Sequence, residues 1–319
     1  MNFRTKVTLA TLPKEWKITF ADEIMLLGSC FSDSVGSQMQ QVGLKALLNP
    51  FGTLYNPCSI AMALHRLTTG TIFTKTELFS HEGLYHSFMH HSQFSSTSVE
   101  DTLLRINTSF VQAQQQLKTA RFLIITLGTA WIYRLADTGQ IVANCHKLPE
   151  RFFVRNRLSV DEVVSVFEKT IAELQAYNPN LHIVFTVSPI RHFRDGAHAN
   201  QLSKSTLLLA VEELCRKYAN TRYFPAYEIV LDELRDYRFF ADDMVHPSPL
   251  AVQYVWECFC EEFFDEQIRA YFPKIEKVRK ALLHRPLNAD TQAYIQFKSN
   301  ILQQKEALEH ELGIKICSK

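Results

Sequence analysis

Two neighbouring residues with nucleophilic side chains, Ser29 and Cys30, follow a glycine where a predicted strand meets a predicted helix. The apolar run over residues 24–27 is typical of a buried strand, and apolar residues from Val35 onward recur at helical spacing. A side chain at such a junction is exposed, and the first N–H groups of the helix point outward. A thiol or hydroxyl held there could attack a carbonyl carbon. In the structural alternative, Ser29 caps the helix and Cys30 packs as a small apolar residue.

The composition is that of an ordinary globular protein and narrows the range of partners. The chain has a formal net charge of +1, and its Lys and Arg residues form no basic stripe. We therefore expect neither nucleic acid nor an anionic membrane as a partner. No apolar run suits a signal peptide or a membrane span. The 7 cysteines are odd in number and irregularly spaced, which favours reduced thiols and a cytoplasmic protein over a disulfide framework.

Four histidines fall in a segment, residues 70–97, that is rich in Ser, Thr and Phe: His81, His86, His90 and His91. Their spacing matches no metal-binding motif, and no cysteine pair stands at the Cys-x-x-Cys spacing of a zinc site. We interpret the segment as a polar surface loop that could form a wall of a site. The sequence therefore predicts neither a metal ion nor another cofactor.

Strands alternate with helices from residue 23 to about residue 266, which predicts a parallel sheet with helices on both faces. In such sheets ligands bind at the carboxyl ends of the strands. Gly28, Gly128, Ser188 and the loop before His246 each follow a predicted strand end. The residues that could do chemistry are therefore expected at one edge of the sheet.

The chain after residue 268 has the pattern of helices alone. We expect an α/β domain over residues 1–268 and a helical extension over residues 269–319. The apolar face of the extension includes Tyr294, Phe297 and Ile301. This face could pack on the α/β domain or join two copies of the chain, so a homo-oligomer through the C-terminal helices is one expectation.

Several sequence blocks, in order along the chain, resemble those of the GSCFA family, which is related to the SGNH (GDSL-type) hydrolases. The blocks are Gly28-Ser29-Cys30-Phe31-Ser32, Asn49-Pro50-Phe51-Gly52, Tyr55-Asn56-Pro57, Thr126-Leu127-Gly128-Thr129, Ser188-Pro189-Ile190-Arg191-His192 and Asp243-x-x-His246-Pro247. The collinear set covers roughly residues 1–265 and is more specific than any single block. The resemblance implies a flavodoxin-like, three-layer α/β/α SGNH-hydrolase fold with a mainly parallel sheet, followed by the helical extension.

The first block is similar to the SGNH block Gly-Asp-Ser-x-Ser, whose first serine is the nucleophile. In that register Cys30 stands at the nucleophile position, Ser29 at the aspartate and Ser32 at the second serine. The resemblance makes Cys30 the first choice of nucleophile and Ser29 the second. We expect the helix N-terminus and a neighbouring imidazolium to lower the pKa of the thiol.

The block Asp243-x-x-His246 resembles the last SGNH block, in which the histidine is the general base and the aspartate orients it. Both residues fall on one short loop, so the aspartate can fix the histidine tautomer at small entropic cost. Cys30, His246 and Asp243 would form a catalytic triad, with Asp242 as an alternative orienting residue. In the structural alternative, the acid caps the following helix and His246 is exposed.

For the oxyanion hole, the resemblance offers the N–H groups of Cys30 and Gly52. SGNH enzymes add an asparagine side chain, but Ala130 stands in that place here. Thr129, Asn56 or a neighbouring N–H would have to replace the missing donor.

Arg191 and His192 follow a predicted strand end and could bind an anionic or sugar-like part of a substrate. Alternatively, Arg191 pairs with Asp195 or Asp243 and holds the loop. The sequence as a whole predicts a hydrolase that cleaves small acyl or carbohydrate esters, or thioesters, through a covalent acyl-enzyme. Two alternatives stay open: an acyltransferase that uses the same site, and a catalytically weak SGNH-like module that binds carbohydrate or acyl groups.

Overall fold

The fold is built on a five-stranded parallel sheet with helices on both faces. The computed structural model describes residues 5–284 and 291–316. The strands are β1 Glu23–Gly28, β2 Lys45–Leu48, β3 Leu78–His81, β4 Leu84–Ser87, β5 Phe122–Leu127, β6 Trp131–Leu135, β7 Ile141–Val142, β8 Phe153–Arg157, β9 His182–Val187 and β10 Thr221–Tyr223. The helices are α1 Cys30–Gln41, α2 Pro57–Thr69, α3 Val99–Thr119, α4 Val160–Tyr177, α5 Gly196–Lys217, α6 Ala226–Glu228, α7 Pro249–Phe263, α8 Glu266–Arg269, α9 Phe272–Leu283 and α10 Gln292–Leu312.

The central strands are continuous apolar runs because both of their faces are covered. β5 is buried along its whole length, and β1 and β9 are buried after their first residue. Successive side chains of a strand point to opposite faces. Leu123 and Ile125 therefore join the apolar cluster on one side of the sheet, while Phe122 and Ile124 join the cluster on the other.

The order of the strands confirms the predicted flavodoxin-like fold. The central sheet runs β10-β9-β5-β1-β2, and every neighbouring pair is parallel. Counted in chain order within this sheet alone, that order is 2-1-3-4-5, as in flavodoxin-like sheets. The strand order reverses between β1 and β5, and such sheets bind ligands in the crevice outside the carboxyl ends at this point.

Helices cover both faces, so the fold has three layers. α2, α3, α4 and α5 supply the apolar cluster on one face, and α1, α7, α9 and α10 supply the other. Ile275 of α9 and Ile301 of α10 are buried in the same cluster as Val35 of α1. Phe297 is 40% exposed. The boundary at residue 268 and the contact between copies through this extension both stay predictions.

Two small antiparallel sheets flank the central one: β3 pairs with β4, and β6 pairs with β7 and β8. The expectation of a polar surface loop over residues 70–97 is wrong, because His86 and His90 are buried. The His90 ring stacks on Phe51 with ring centroids 5.0 Å apart. Burial lowers the pKa of His90 to about 3, so it packs as a neutral aromatic ring. Within residues 5–284 and 291–316, no group of three or more His, Cys, Asp or Glu side chains could hold a metal ion.

The cysteines of the described part of the chain are all free thiols, and Cys317 lies outside the described residues. None of the described helices combines the length and the apolar character that crossing a membrane would require.

Candidate active site

A cavity of about 360 Å³ lies at the carboxyl edge of the sheet, beside the point where the strand order reverses. Its walls are Cys30, Tyr55, Asn56, Thr129, Trp131, Tyr133, Ala143, Arg155, Ile190, Arg191, His192, Arg194, Val245 and His246. Six of these residues were predicted from the sequence to belong to the site: Cys30, Asn56, Thr129, Arg191, His192 and His246. Ser29, Gly52 and Asp243 are not among the walls, although Asp243 contacts His246.

The turn from β1 into α1 decides which nucleophilic side chain reaches the cavity. Ser29 is the N-cap of α1, and its Oγ accepts a hydrogen bond from the Phe31 N–H at 3.3 Å. The Ser29 side chain is fully buried. Cys30 is partly exposed and is a wall of the cavity. Of the two residues, Cys30 is therefore the one that a ligand can contact.

Gly28 makes this turn possible. Its φ is +147°, and a Cβ atom at this position would lie 2.2 Å from the Thr126 carbonyl oxygen of the neighbouring strand. A left-handed backbone that close to another strand admits only glycine. The glycine therefore brings the start of α1 against the end of β5.

We expect Gly28→Ala to destabilise the fold by roughly 3 kcal/mol or more, because backbone strain and overpacking each cost about 1–3 kcal/mol. Gly139 is a matched control: its φ is +70°, but a Cβ there meets nothing within 4 Å. Gly139→Ala should cost only about 1 kcal/mol. Urea unfolding followed by circular dichroism measures both losses, and equal losses would contradict this account of the turn.

Cys30 is a protonated thiol in the resting site. Burial raises its pKa above the usual range, and the nearby carboxylate of Asp33 raises it further. The N–H groups at the start of α1 and the Lys204 ammonium lower the pKa, but by less. The expectation of a lowered thiol pKa is therefore wrong, because burial disfavours the thiolate more than the helix N-terminus favours it. If this sulfur is to attack a carbonyl carbon, a base must remove its proton.

This pKa gives a prediction for alkylation. Iodoacetamide should alkylate Cys30 slowly near neutral pH, and the rate should keep rising above about pH 8.5, the usual cysteine pKa, because the reactive thiolate forms only there. Asp33→Asn removes a negative charge and should raise the rate severalfold at mildly alkaline pH. Mass mapping of the peptides separates Cys30 from Cys145, a partly exposed thiol outside the cavity. A rate that levels off below neutral pH would instead indicate a preformed thiolate.

Asp243 fixes the His246 ring within one short loop. Its Oδ2 lies 2.6 Å from His246 Nδ1, and its Oδ1 accepts the backbone N–H groups of His246 and Val245, both at 2.9 Å. These donors lower the pKa of Asp243 to about 2, so it is ionised and can only accept. The proton of the neutral imidazole therefore lies on Nδ1, which leaves the Nε2 lone pair free. No hydrogen bond among the described contacts joins Asp242 to this ring.

Gly52 does not offer a free donor to the cavity. Its N–H donates to the Asn49 carbonyl oxygen at 2.7 Å, within the turn that Gly52 closes. Its φ is +76°, a Cβ atom there would lie 2.2 Å from the His91 Cβ, and Gly52 is not a wall of the cavity. The oxyanion role predicted for Gly52 is therefore corrected: the turn already uses its N–H.

Asn56 and Thr129 are wall residues with polar groups that could act as donors. Asn56 caps α2, with its Oδ1 accepting the Ser59 N–H at 2.9 Å, and its Nδ2 has no partner among the described residues. Thr129 Oγ1 accepts the Trp131 N–H at 3.2 Å and lies 3.0 Å from Ser203 Oγ. Both side chains are thus held by the backbone while lining the cavity.

Ala130, where the resemblance to SGNH enzymes predicts an asparagine, is buried. Its N–H donates to Ser203 Oγ at 2.8 Å. The loop after β5 is therefore bound to α5 through a serine hydroxyl, and Ala130 itself offers nothing to the cavity.

His192 is a neutral wall residue. Burial lowers its pKa to about 4, and the positive charge of Lys204 acts in the same direction. Its Nε2 is buried and has no hydrogen-bond partner among the described residues. The ring meets Tyr55 edge to face, with centroids 6.0 Å apart.

Sequence reasoning missed Lys204 of α5. Its Nζ is buried and donates to the carbonyl oxygens of Gly128 and Ser188, each at 2.6 Å, so it ties the ends of β5 and β9 together. Burial lowers its pKa to about 7. One signal could have revealed it: Lys204 shares a helix face with the buried residues Leu207 and Val211.

The wall formed by β6 and β8 was also missed. Trp131 and Tyr133 lie two residues apart and so share a face of β6, and Tyr133 pairs with Arg155 of β8. The Arg155 guanidinium lies 4.2 Å from the Trp131 ring centroid. The period-two pattern was visible in the sequence, but the pairing that brings it to the cavity was not.

Comparison with known proteins gives a match along most of the chain. The model of the GSCFA family matches residues 23–259, and that of the GSCFA domain protein, C-terminal domain, matches residues 275–313. A search of curated proteins finds no match.

The chain is similar to several solved structures at low sequence identity and low TM-score. They include a carbohydrate esterase family 2 enzyme plus carbohydrate binding domain from Corynascus thermopiles (Myceliophthora fergusii), which is 14% identical with a TM-score of 0.40 over 84% of this chain and 69% of that one. A catalytic mutant of Axe2, an acetylxylan esterase from Geobacillus stearothermophilus, is 12% identical with a TM-score of 0.39 over 78% and 97%. At these identities and TM-scores, the similarity supports no conclusion about what this chain does.

Proposed function

The chain belongs to the GSCFA family, as the sequence predicted, and from that premise we propose that it cleaves a small acyl ester or thioester through a covalent acyl-enzyme. One observation carries the proposal. A thiol at the start of a helix, Cys30, and an imidazole held by the Asp243 carboxylate, His246, line the same cavity. Their types and roles are those of a nucleophile, a general base and an orienting acid.

In the first half of the reaction, His246 Nε2 takes the thiol proton while Cys30 Sγ attacks the carbonyl carbon. The base is needed at this moment because the pKa of Cys30 is raised. Asp243 stabilises the imidazolium that forms. The bond from the carbonyl carbon to the leaving oxygen or sulfur then breaks, and the leaving atom receives from His246 the proton that came from the thiol. The acyl group remains on Cys30 as a thioester.

In the second half, water attacks the thioester carbonyl, and His246 again accepts the proton. Collapse of this intermediate releases a carboxylic acid and returns the proton to the Cys30 sulfur. An acceptor hydroxyl or amine in place of water would give acyl transfer by the same steps. No step requires a metal ion or another cofactor.

Three donors are proposed for the oxyanion: the Cys30 N–H, the Asn56 Nδ2 group and the Thr129 hydroxyl. The Cys30 N–H belongs to the first turn of α1, where backbone donors have no partner within the helix. Asn56 and Thr129 together would replace the asparagine that Ala130 lacks. Thr129 Oγ1 accepts from the Trp131 N–H, and when Ser203 is the donor of the hydrogen bond between the two hydroxyls, the Thr129 hydroxyl keeps its own proton for the cavity.

The experiment that tests this function is a turnover screen with the full chain. A cavity of about 360 Å³ is at the small end of ligand pockets, so acetyl and propionyl esters and thioesters should be cleaved faster than octanoyl ones. Product analysis with added sugars or amines separates the two reactions, because an acylated acceptor in place of the acid would assign acyl transfer. Binding of esters without turnover of any of them would overturn the proposal and favour a binding module.

A further inference from the structure

The cavity carries an excess of positive charge that ester cleavage alone does not require. Arg155, Arg191 and Arg194 line it, and within the described residues no Asp or Glu is among the walls. The two histidines among the walls do not bind these arginines or balance their charge: His192 is neutral, and His246 is hydrogen-bonded to Asp243. A neutral acyl ester would need none of these guanidinium groups.

Two of the three arginines have acidic partners that are not themselves walls of the cavity. Arg155 pairs with Asp195, and Arg194 pairs with Glu150 and donates to the Tyr133 hydroxyl. These contacts hold the two guanidinium groups in place. The Nε of Arg155 is buried and has no hydrogen-bond partner among the described residues.

Arg191 has no acidic partner in the described part of the chain. The sequence offered Asp195 and Asp243 as partners for Arg191, but Asp195 pairs with Arg155 and Asp243 pairs with His246. Its guanidinium instead lies against three aromatic rings, with centroids 4.2 Å away for Phe240, 5.2 Å for Tyr237 and 5.6 Å for Phe193. Ring faces attract a cation but accept few hydrogen bonds, so the N–H donors of Arg191 stay available.

We infer that Arg191, with Arg155 and Arg194 beside it, forms a subsite for an anionic group of the ligand, either a carboxylate or a phosphate. The planar guanidinium fork matches two oxygens of such a group, which a neutral ester cannot offer. This inference rests on the proposed function, and it restricts the substrate to esters or thioesters whose acyl or alcohol part carries a carboxylate or a phosphate. Cys30 and Arg191 line one small cavity, so both ends of such a molecule would be held at once.

Direct binding tests this subsite without any need for turnover. Isothermal titration of the full chain would compare succinate with succinamide, and glycerol phosphate with glycerol. We expect at least one anion to bind about tenfold or more tightly than its neutral counterpart, and Arg191→Gln to remove most of that preference. The succinate and glycerol phosphate arms tell a carboxylate subsite from a phosphate one.

Arg238→Gln is the matched control, since Arg238 also lies over an aromatic ring, Phe239, but is not a wall of the cavity. It should bind the anions like the wild-type chain. Arg191→Lys keeps the positive charge but lacks the planar guanidinium fork, so it should bind the anions with intermediate strength. This variant still tests the subsite if Arg191→Gln folds poorly. Equal binding of anionic and neutral probes, or unchanged binding in Arg191→Gln, would overturn the inference. Turnover of neutral esters, measured separately, reports on the proposed function alone.

Discussion

Replacement of Cys30 by alanine is expected to lower kcat/KM for the ester substrate by at least about 10³-fold, because loss of the nucleophile in such a triad costs on the order of 10⁶ in kcat. The side chain is the only nucleophile of the Gly28-Ser29-Cys30 turn that lines the cavity. Its removal leaves a small void at a partly exposed position, so the melting temperature should change little. Initial rates with a short-chain p-nitrophenyl ester measure the effect.

Cys145→Ala is the control for Cys30→Ala, because Cys145 is also a partly exposed thiol but is not a wall of the cavity. This variant should keep wild-type turnover. Cys30→Ser should fall between the alanine variant and the wild type, since a base that activates a protonated thiol can also activate a hydroxyl. Undiminished turnover in a folded Cys30→Ala protein would exclude Cys30 as the nucleophile.

The second large effect is expected at the His246–Asp243 pair. His246→Asn removes the proposed general base for the protonated Cys30 and should lower kcat by about 10³-fold or more. Asp243→Asn keeps the shape of the loop but no longer fixes the proton on Nδ1, and a comparable change in a serine protease triad costs about 10⁴-fold. The pH profile of kcat should be measured for Asp243→Asn together with its rate. A shifted profile indicates altered protonation of the His246 imidazole, whereas a lower rate with an unchanged profile indicates a damaged fold.

Asp242→Asn is the matched control for the orienting acid. Asp242 is the neighbouring exposed residue, and no described hydrogen bond joins it to His246. Its loss should leave kcat within a small factor of wild type. If Asp242→Asn and Asp243→Asn were impaired equally, the orienting role assigned to the bond between Asp243 and His246 would be wrong.

The arrangement of the fold could be predicted because it depends on local pattern. The continuous apolar run over residues 122–127 is typical of a strand that is covered on both faces, and β5 is buried along its whole length. Alternating strands and helices then require a parallel sheet whose carboxyl ends share one edge. This is why residues as distant in sequence as Cys30 and His246 could be expected together, and both line the cavity.

What the sequence could not supply depends on tertiary surroundings. The raised pKa of Cys30 follows from its burial and from Asp33, which outweigh the helix N-terminus. The N–H of Gly52 looks free in a loop, yet its turn already uses it. His90 is polar by type but packs between aromatic rings. The burial of Cys30 and the rings around His90 come from segments distant in sequence. Asp33 and Asn49 lie only three residues from Cys30 and Gly52, but their effect depends on how each turn folds.

The central claim is that the substrate's acyl group becomes bound to the sulfur of Cys30, and a single quench experiment tests it. The full chain, mixed with excess p-nitrophenyl acetate, is stopped in acid during turnover, and its mass and peptide fragments are measured. The account predicts one acetyl group per chain, on the sulfur of Cys30, and none in Cys30→Ala. An acetyl group on Ser29, or continued turnover without acylation of the protein at any time, would contradict it.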